Sequence, residues 1–533
     1  FSLALWNGND PILKERMFGL TNAQGNHGED VKERYWFTDG TPSHSWMSWR
    51  YHYPQAAFPY EQLVAENARR GRLDPEYEID DTGVFEDNRY FDVTVDYAKA
   101  APSDLCIRIT THNAGPDAAT LELLPTLWFR NTWAWGLPDG GPEPRITCRE
   151  AQLVGVHHRI GTLILTGDSS SDSGFVDSLA CDNETNTRLL YDSDGRSPYP
   201  KDGIGDHVVH GTATVRTDGF GTKAALRYRW LLAPGETREI RLRLQDPANG
   251  GAAPEFETVM ADRKREADDF YESLRPAGGS DDKLRVVRQA IAGLLWSKQF
   301  FHYDVDRWLE GDPAGPPPPP GRGAIRNGGW RHVNNADVLL MPDTWEYPWF
   351  AAWDLAFHCV VVAYVDPAFA KRQLLLMLRE WYMHPNGQLP AYEWNFSDVN
   401  PPVHAWAALR VFEIAADSDY DFLERAFHKL LLNFTWWVNR EDREGNNLFE
   451  GGFLGLDNIG PFDRSKLSPG SGELEQSDGT SWMAMYCLDL LDMALTLAMH
   501  DDTYEDVATK FFEHFTRIAT AAKKQGLWDD ADG

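Results

Sequence analysis

Cysteine and basic side chains are scarce in this chain of 533 residues. The five cysteines are scattered without CxxC spacing, which disfavours a disulfide framework or a zinc site and predicts free thiols. Lysine and arginine number 51 against 81 aspartates and glutamates, and the formal net charge is −30. Because so acidic a surface repels nucleic acid and anionic membranes, we expect neither as a partner and favour a neutral substrate.

Motifs of several reaction classes are absent as well. The sequence has no HExxH, and the segment 442–447 lacks the spacing of a calcium loop. It also has no GxSxG, P-loop or GxGxxG, which weakens the case for acyl or phosphoryl transfer. No apolar run reaches 18 residues, so no membrane-spanning helix is predicted. We therefore expect neither a cofactor nor a metal.

Aromatic residues, by contrast, are abundant. The chain has 21 tryptophans, and apolar residues make up 42% of it. That composition allows a large core. The tryptophans either fill this core or stack on sugar rings, whose C–H faces pack against aromatic planes.

Residues 1–255 have the pattern of a β-sandwich. Short segments alternate apolar and polar residues, and turn signals of the Asp-Gly and Pro-Gly type separate them. Segments 228–232 and 238–244, joined by Ala233-Pro-Gly-Glu-Thr, are predicted to form a hairpin. The chain begins at Phe1 without a methionine, so we expect this domain to be cut at its start.

Helical periodicity follows. We predict a linker helix within 256–283 and a helical catalytic domain over 284–533, with helices at about 257–275, 284–304, 350–364, 367–383, 402–416, 420–439, 479–499 and 503–523.

The helices alternate between two types. Helices 350–364, 402–416 and 479–499 are apolar nearly all round, whereas 420–439 and 503–523 have one polar face. This alternation predicts helical hairpins in two concentric rings, an α/α barrel. The inner helices would be 350–364, 402–416 and 479–499. We expect 402–416 and 479–499 to be more buried than 420–439 and 503–523. Long connections precede the inner helices, so the long loops fall at one end of the barrel. Binding and catalytic residues often lie on such loops.

Three clusters of carboxylates and aromatics occupy these loops. Asp354 lies in an otherwise apolar helix, where a buried carboxylate needs partners such as sugar hydroxyls or a loop that it caps. His404 falls in the first turn of another inner helix and has either a binding or a core role. Asp457 follows three glycines between apolar neighbours. Such surroundings raise a carboxylic pKa as a general acid requires, although the residue could also cap a turn. The candidate substrate-binding residues are Trp345, Tyr347, Trp353, Asp354, Glu393, Trp394, His404, Glu475 and Gln476.

These segments resemble glycoside hydrolase family 63, the family of processing α-glucosidase I, and its bacterial branch with the mannosylglycerate and glucosylglycerate hydrolases. The matching pieces are Tyr347…Trp353-Asp354-x-Ala-Phe, Pro401-Pro-Val-x-Ala and Gly455-Leu-Asp-Asn. The stretch LWFRNT at 127–132 resembles long bacterial members labelled glucosidase. The resemblance spans nearly the whole chain.

The resemblance implies a β-sandwich before an (α/α)6 barrel and hydrolysis with inversion of an α-glucosidic bond. It implies Asp457 as general acid, with Tyr347, Trp353 and Asp354 lining the sugar subsite. The family's general base comes from a late barrel segment, and we expect it beyond Gly533. A cytoplasmic, bacterial-type location and a small carbohydrate as the partner are expected.

Two other functions stay open. A glycoside phosphorylase shares this architecture, but it needs a basic phosphate pocket, and the long loops hold few cations. A carbohydrate-binding protein without turnover would need no general base.

Overall fold

The computed structural model describes residues 1–21, 29–71, 73–136, 140–249, 254–313, 315–324, 328–345, 347, 350–391, 400–449, 477–529 and 531. The chain divides into two compact units. The first comprises Phe1–Trp296 with Gly311–Pro317, and the second comprises Ser297–Glu310 with Pro318–Gly533.

The first unit is built on antiparallel strands. Their bounds are β1 Ser2–Trp6, β2 Gly19–Thr21, β3 Glu29–Val31, β4 Arg34–Gly40, β5 Trp46–Pro54, β6 Tyr90–Ala101, β7 Asp104–Asn113, β8 Ala119–Trp128, β9 Arg145–Arg149, β10 Gln152–His157, β11 Gly161–Gly167, β12 Phe175–Cys181, β13 Phe220–Gly221, β14 Lys223–Leu232 and β15 Thr237–Gln245. One sheet has the order β1-β8-β14-β12, and a larger one has the order β13-β9-β10-β11-β15-β7-β6-β5-β4.

The two sheets share one apolar core. Leu121, Leu123 and Tyr228 of the smaller sheet cluster with Val93 and Ile107 of the larger one, and none of the five is exposed. Because side chains alternate across a strand, each sheet turns one apolar row towards the other. This packing establishes the β-sandwich that the sequence predicts.

Helices lie on the outer faces of this sandwich. Their bounds are α1 Tyr60–Arg69, α2 Thr187–Tyr191, α3 Gly203–His210, α4 Phe256–Ser273 and α5 Asp281–Trp296. Helix α3 packs Ile204 on the smaller sheet, and α4 packs Met260 on Cys106 of the larger sheet. On α5, Arg288 forms an ion pair with Asp39 of β4.

The unit boundary therefore lies after Trp296, later than the predicted end of the sandwich at 255. Segment 256–283 is not a linker, because α4 buries Val259 and Ala267 against the larger sheet. The second unit begins at Ser297 rather than at residue 284.

The predicted hairpin of 228–244 is wrong. Strand β14 pairs with β8 and β12, whereas β15 pairs with β7 and β11. The turn at 233–236, with Gly235 at φ +71°, carries the chain from one sheet to the other. A tight turn fixes the chain reversal, but the burial of both strands in the shared core decides their partners.

The second unit contains a two-stranded ribbon and helices. The bounds are β16 Lys298–Asp304, α6 Val305–Glu310, β17 Asn334–Leu340, α7 Ala352–Val362, α8 Pro367–Met377, α9 His404–Ala415, α10 Tyr420–Val438, α11 Gly479–Ala498 and α12 Thr503–Lys524. The predicted helix 284–304 is wrong over its last third, because 298–304 pairs with 334–340 as a strand.

The pairs α7–α8, α9–α10 and α11–α12 form successive helical hairpins. Helix α7 contacts α9, and α9 contacts α11, while α8 contacts α10. The side chains of Asp366 and Asp419 accept hydrogen bonds from the first-turn amides of α8 and α10, which fixes where these helices begin.

The predicted difference in burial between inner and outer helices holds for α9 and α12 but not for α10 and α11. Helix α12 has 5 buried residues out of 22, fewer than α9, as expected of an outer helix. Helix α11 has 9 of 20 and α10 has 8 of 19, so these two do not differ as predicted. Apolar Leu488 and Leu495 of α11 are 43% and 52% exposed, which accounts for its modest burial.

The predictions on cysteine and membrane spans have different outcomes. All five cysteines are free, and four of them are buried. Among the described residues, Gly479–Ala498 is long and apolar enough to cross a membrane by length and composition. Core helices of other proteins share this length and apolar composition, and α11 packs against α9, α10 and α12.

Candidate functional site

A narrow cleft lies where α7 and α9 begin in the second unit. Its lining residues are Ala352, Trp353, Leu389, Asn400, Pro401, Pro402, Val403, His404, Asn433 and Trp437. The described residues leave a free volume of about 20 Å³ there, roughly the space of one water molecule. Trp353 and His404, both predicted site residues, meet in this cleft.

An aromatic row runs from the cleft along α7. The ring centroids of Trp353 and Phe357 are 5.9 Å apart, and those of Phe357 and Trp406 are 5.4 Å apart. Phe357 is 40% exposed. Aromatic surface that remains open beside a cleft suits the C–H face of a sugar ring.

Asp354 lies in the first turn of α7, next to Trp353. Burial raises the pKa of this carboxyl group, and a hydrogen bond from its own backbone amide opposes the shift. The start of a helix also favours a negative charge, but burial has the larger effect. Asp354 is not among the residues that line the cleft, so its role in binding sugar hydroxyls stays a prediction.

His404 is buried, and one of its two ring nitrogens bonds the backbone of a neighbouring helix. Its Nε2 lies 2.8 Å from the carbonyl oxygen of Leu374 on α8, so this nitrogen carries the proton. Burial lowers the pKa of His404 to about 4, so the ring is neutral at pH 7. Its Nδ1 has no hydrogen-bond partner among the described residues and is the atom left for a ligand.

The wall of the cleft is tied together by Asn433. Its Nδ2 donates to the carbonyl oxygen of Gly387 at 2.8 Å, and its Oδ1 accepts from the hydroxyl of Tyr486 at 3.0 Å. The loop before Leu389, helix α10 and helix α11 are therefore linked through one buried amide. Such an arrangement holds the lining residues in place.

The turn at 441–449 brings the chain to the start of α11. Asp442 accepts from the backbone amides of Asn446 and Leu448 at 2.9 and 3.1 Å, so its carboxylate organises the turn. The amide of Phe449 then donates to the hydroxyl of Thr480 at 2.9 Å.

Several predicted site residues lie outside the described residues. They are Glu393, Trp394, Asp457, Glu475 and Gln476. Their roles, and the separation of Asp354 and Asp457, stay predictions.

Trp345 and Tyr347 precede α7 and are half-buried. The backbone amide of Trp345 donates to Asp343 at 2.7 Å. Neither Trp345 nor Tyr347 lines the cleft formed by the described residues. Their role in substrate binding stays a prediction.

The sequence analysis missed two partly buried polar residues, one on α7 and one on α11. His358 lies one turn after Asp354, burial lowers its pKa, and its Nδ1 has no partner among the described residues. On α11, burial and the charge of Asp492 raise the pKa of Asp489 to about 7, against the opposing effect of Arg410. A charged residue in an apolar helix drew attention to Asp354, and the same signal would have identified Asp489.

One group of carboxylates among the described residues has the spacing of a metal site. It consists of Asp30, Glu76 and Glu78 in the first unit. The ammonium of Lys32 forms ion pairs with all three, and its Nζ lies 3.2 Å from Glu78. A cation of the chain thus already occupies the centre of this group.

Part of the second unit is similar to a known glycoside hydrolase family. Residues 347–532 match the family model described as "Mannosylglycerate hydrolase MGH1-like glycoside hydrolase domain". This match supports the glycoside hydrolase part of the resemblance read from the motifs. It does not separately establish family 63.

A curated relative extends over the whole chain. The chain is 45% identical over 594 aligned residues to the uncharacterised protein YMR196W of Saccharomyces cerevisiae. The alignment covers 100% of the chain and 55% of that protein. The chain thus spans about half the length of the curated relative that it matches.

Solved structures show only distant likeness. A family GH92 α-mannosidase from Bacteroides thetaiotaomicron has a TM-score of 0.31 and 12% identity, covering 80% of this chain and 49% of that one. A galactose mutarotase-like protein from Lactobacillus casei has a TM-score of 0.19 and 8% identity, covering 39% and 72%. Scores this low carry no conclusion about fold or function.

Proposed function

We propose that this chain is the greater part of an inverting glycoside hydrolase that cleaves an α-glucosidic bond, with Asp457 as general acid. The observation that carries the proposal is the match of residues 347–532 to a glycoside hydrolase domain. The cleft at the start of α7 and α9 lies within that range and supports it.

In this mechanism each residue has one task. Trp353 stacks on the sugar, and Asp354 accepts hydroxyl hydrogen bonds that fix its orientation. Asp457 donates a proton to the glycosidic oxygen as the bond to the anomeric carbon breaks. A water molecule attacks from the opposite face and transfers its proton to a second carboxylate. Inversion requires the two carboxyl groups to be roughly 6.5–9.5 Å apart.

The double ring of helices belongs to the same proposal. The hairpins α7–α8, α9–α10 and α11–α12 follow one another around an arc, with the first helix of each in contact with the next first helix. Three further hairpins of the same kind would close an (α/α)6 barrel. Membership of glycoside hydrolase family 63 rests on the sequence motifs.

Glucosylglycerate, a disaccharide and a larger oligosaccharide are the candidate substrates. The family description names mannosylglycerate, which makes an α-mannosyl glycerate a further candidate. Trp353 and Asp354 do not discriminate between these sugars, because both epimers present an apolar ring face and hydroxyl groups.

The test uses the full-length protein and follows the reaction by proton NMR. The substrates are glucosylglycerate, mannosylglycerate and an α-linked glucose disaccharide. We expect the β-anomer of the free sugar to appear first from the α-glucosidic substrate. First appearance of the α-anomer would contradict inversion.

Two controls separate the alternatives. A glycoside phosphorylase would require inorganic phosphate and release a sugar phosphate. A carbohydrate-binding protein would release no sugar under either condition. The Asp457→Asn variant is the matched blank, because it keeps the size of the side chain and removes the transferable proton.

A further inference from the structure

An open cavity of about 450 Å³ lies in the sandwich unit, at the end of strand β8. Its lining comes from the segment after β8, the loop after β12, segment 194–196, Lys201 and the segment 312–313. All these residues belong to the first unit. The volume falls within the range of ~300–1,000 Å³ typical of small-molecule sites.

Two tryptophans present aromatic surface to this cavity. Trp128 is the last residue of β8 and is 44% exposed, although the seven residues before it in the strand are buried. Trp135 is half-buried, and the guanidinium carbon of Arg130 lies 5.9 Å from its ring centroid. An exposed indole on a rigid strand end gives a flat apolar surface for a ligand.

A buried carboxylate stands beside these rings. Glu184 is 7% exposed, and its Oε1 accepts from the indole nitrogen of Trp133 at 2.9 Å. The Nε of Arg196 lies 3.8 Å from the same oxygen, and Arg196 also donates to the carbonyl oxygen of Ala134 at 3.0 Å. The acid and the guanidinium are therefore held in fixed positions, as a binding site requires.

Two asparagines brace the wall. The Nδ2 of Asn131 donates to the carbonyl oxygen of Asn183 at 2.7 Å, and its Oδ1 accepts from the amide of Ala134 at 3.1 Å. The Nδ2 of Asn183 donates to the carbonyl oxygen of Phe129 at 2.8 Å. The segment that carries both tryptophans is thus fastened to the loop after β12, so the cavity is largely preformed.

The charges that line the cavity balance. The cations are Arg130, Arg196 and Lys201, and the carboxylates are Glu184, Asp194 and Asp312. A polyanion would need an excess of cations, which this cavity lacks. Donors, acceptors and aromatic faces in one neutral cavity match a polyhydroxylated ring.

We propose that this cavity of the first unit is a saccharide-binding site, which takes one neutral hexopyranose unit. Trp128 and Trp135 supply the stacking surface, and Glu184 and Arg196 bind hydroxyl groups. The proposal does not depend on the hydrolase activity.

The test reads binding at the cavity itself. Full-length protein labelled with ¹⁵N at the tryptophan indoles is titrated with methyl α-D-glucopyranoside, and then with methyl α-D-mannopyranoside. The signals are assigned with Trp128→Phe and Trp135→Phe. We expect the Trp128 and Trp135 signals to shift and to saturate. The matched control is Trp36, which is 36% exposed on β4, does not line the cavity and should not shift.

A substitution then tests the polar contacts. Glu184→Gln keeps the shape of the side chain. We expect sugar binding, read from the Trp128 signal, to weaken roughly tenfold, because the sugar hydroxyl then donates to a neutral amide oxygen instead of a charged carboxylate. Arg196→Met gives a second variant if Glu184→Gln fails to fold.

The proposal is overturned if neither sugar shifts the two signals, or if inorganic phosphate shifts them and the sugars do not. Sugar hydrolysis is measured in parallel. A saturable shift without hydrolysis would support this site and contradict the proposed function. Hydrolysis without a shift would support the proposed function and contradict this site.

Discussion

The buried side-chain amide of Asn433 on α10 donates to the carbonyl oxygen of Gly387 at 2.8 Å and receives the hydroxyl of Tyr486 at 3.0 Å. One residue therefore joins an interhelical loop to two neighbouring helices at the cleft. The side chain of Asn433 lines the cleft as well, so stability and the shape of the site depend on the same contact.

Replacing Asn433 by alanine should destabilise the second unit. The substitution leaves the carbonyl oxygen of Gly387 buried without this donor, and the expected loss in the free energy of unfolding is ~1–3 kcal/mol. Urea denaturation measures it. The control is Asn439→Ala at the exposed end of the same helix, where the side-chain amide donates to the carbonyl oxygen of Thr435. Equal losses for the two variants would mean that the buried amide is not the link we describe.

Gly387 should tolerate no side chain. Its φ is +92°, and a Cβ atom there would lie 2.3 Å from the carbonyl oxygen of Leu432. Gly445 has φ +69° with no atom within 4 Å of its Cβ position, so Gly445→Ala should cost only the ~1–2 kcal/mol of the left-handed conformation. We expect Gly387→Ala to lower the melting temperature clearly more than Gly445→Ala. A larger decrease for Gly445→Ala would show that the loop around Gly387 can move away from Leu432 without loss of stability.

Asp489 should make stability depend on pH. Its pKa is raised from 3.8 to about 7, so the folded protein keeps the proton while the unfolded chain loses it. The penalty that Asp489 imposes on folding is therefore absent below about pH 4, grows as the pH rises to about 7, and stays constant above that. The difference corresponds to about 4 kcal/mol at 1.36 kcal/mol per pKa unit.

The Asp489→Asn variant checks this linkage. It should gain stability over the parent protein at pH 8 and differ little from it at pH 4, as measured by thermal or urea unfolding at both values. Asp492→Asn is the comparison. This variant removes the neighbouring charge that raises the pKa of Asp489 and should give a smaller gain of the same sign. A gain for Asp489→Asn that is the same at both pH values would contradict the assignment.

Asp457→Asn in the full-length protein should lower kcat by ~10²–10⁴-fold for a sugar leaving group, because the general acid is lost. The loss should be much smaller for an aryl glycoside with an activated leaving group, which needs little protonation. Steady-state kinetics on both substrates gives the ratio. Equal losses with folding intact would remove Asp457 from this role.

Asp354→Asn is the contrasting variant for the same assay. It removes a charged acceptor of sugar hydroxyls but not the acid, so both substrates should suffer alike. The melting temperature separates this effect from structural damage.

Local periodicity was enough to place most helices. The alternation of apolar and polar positions predicted 420–439 and 503–523, and the structure has helices at Tyr420–Val438 and Thr503–Lys524. Amphipathic helices can be read from sequence because their period of 3.6 residues is a local property. The end of α5 could not be read in this way. Segment 298–304 becomes a strand by pairing with 334–340, a partner distant in the sequence.

The sequence identified some residues of the candidate site but not the contacts between them. Trp353 and Asp354 drew attention because they interrupt or flank an apolar helix, and His404 because it begins the next inner helix. The bond from His404 to Leu374 depends on how α8 packs against α9, which no local pattern contains. The cavity beside Trp128 was missed altogether, since its lining comes from segments up to 185 residues apart.

The sequence by itself determined the order of a β-rich half and a helical half, the hairpins of the second half and the acidic, cysteine-poor character of the chain. These properties depend on composition and on periods of two and 3.6 residues, which act over short stretches. Only the tertiary structure decided that β14 and β15 enter different sheets, that α4 and α5 belong to the sandwich unit, and that Asp489 holds its proton near neutral pH. The reason is common to all three: burial against distant segments sets the strand partners, the unit boundary and the pKa.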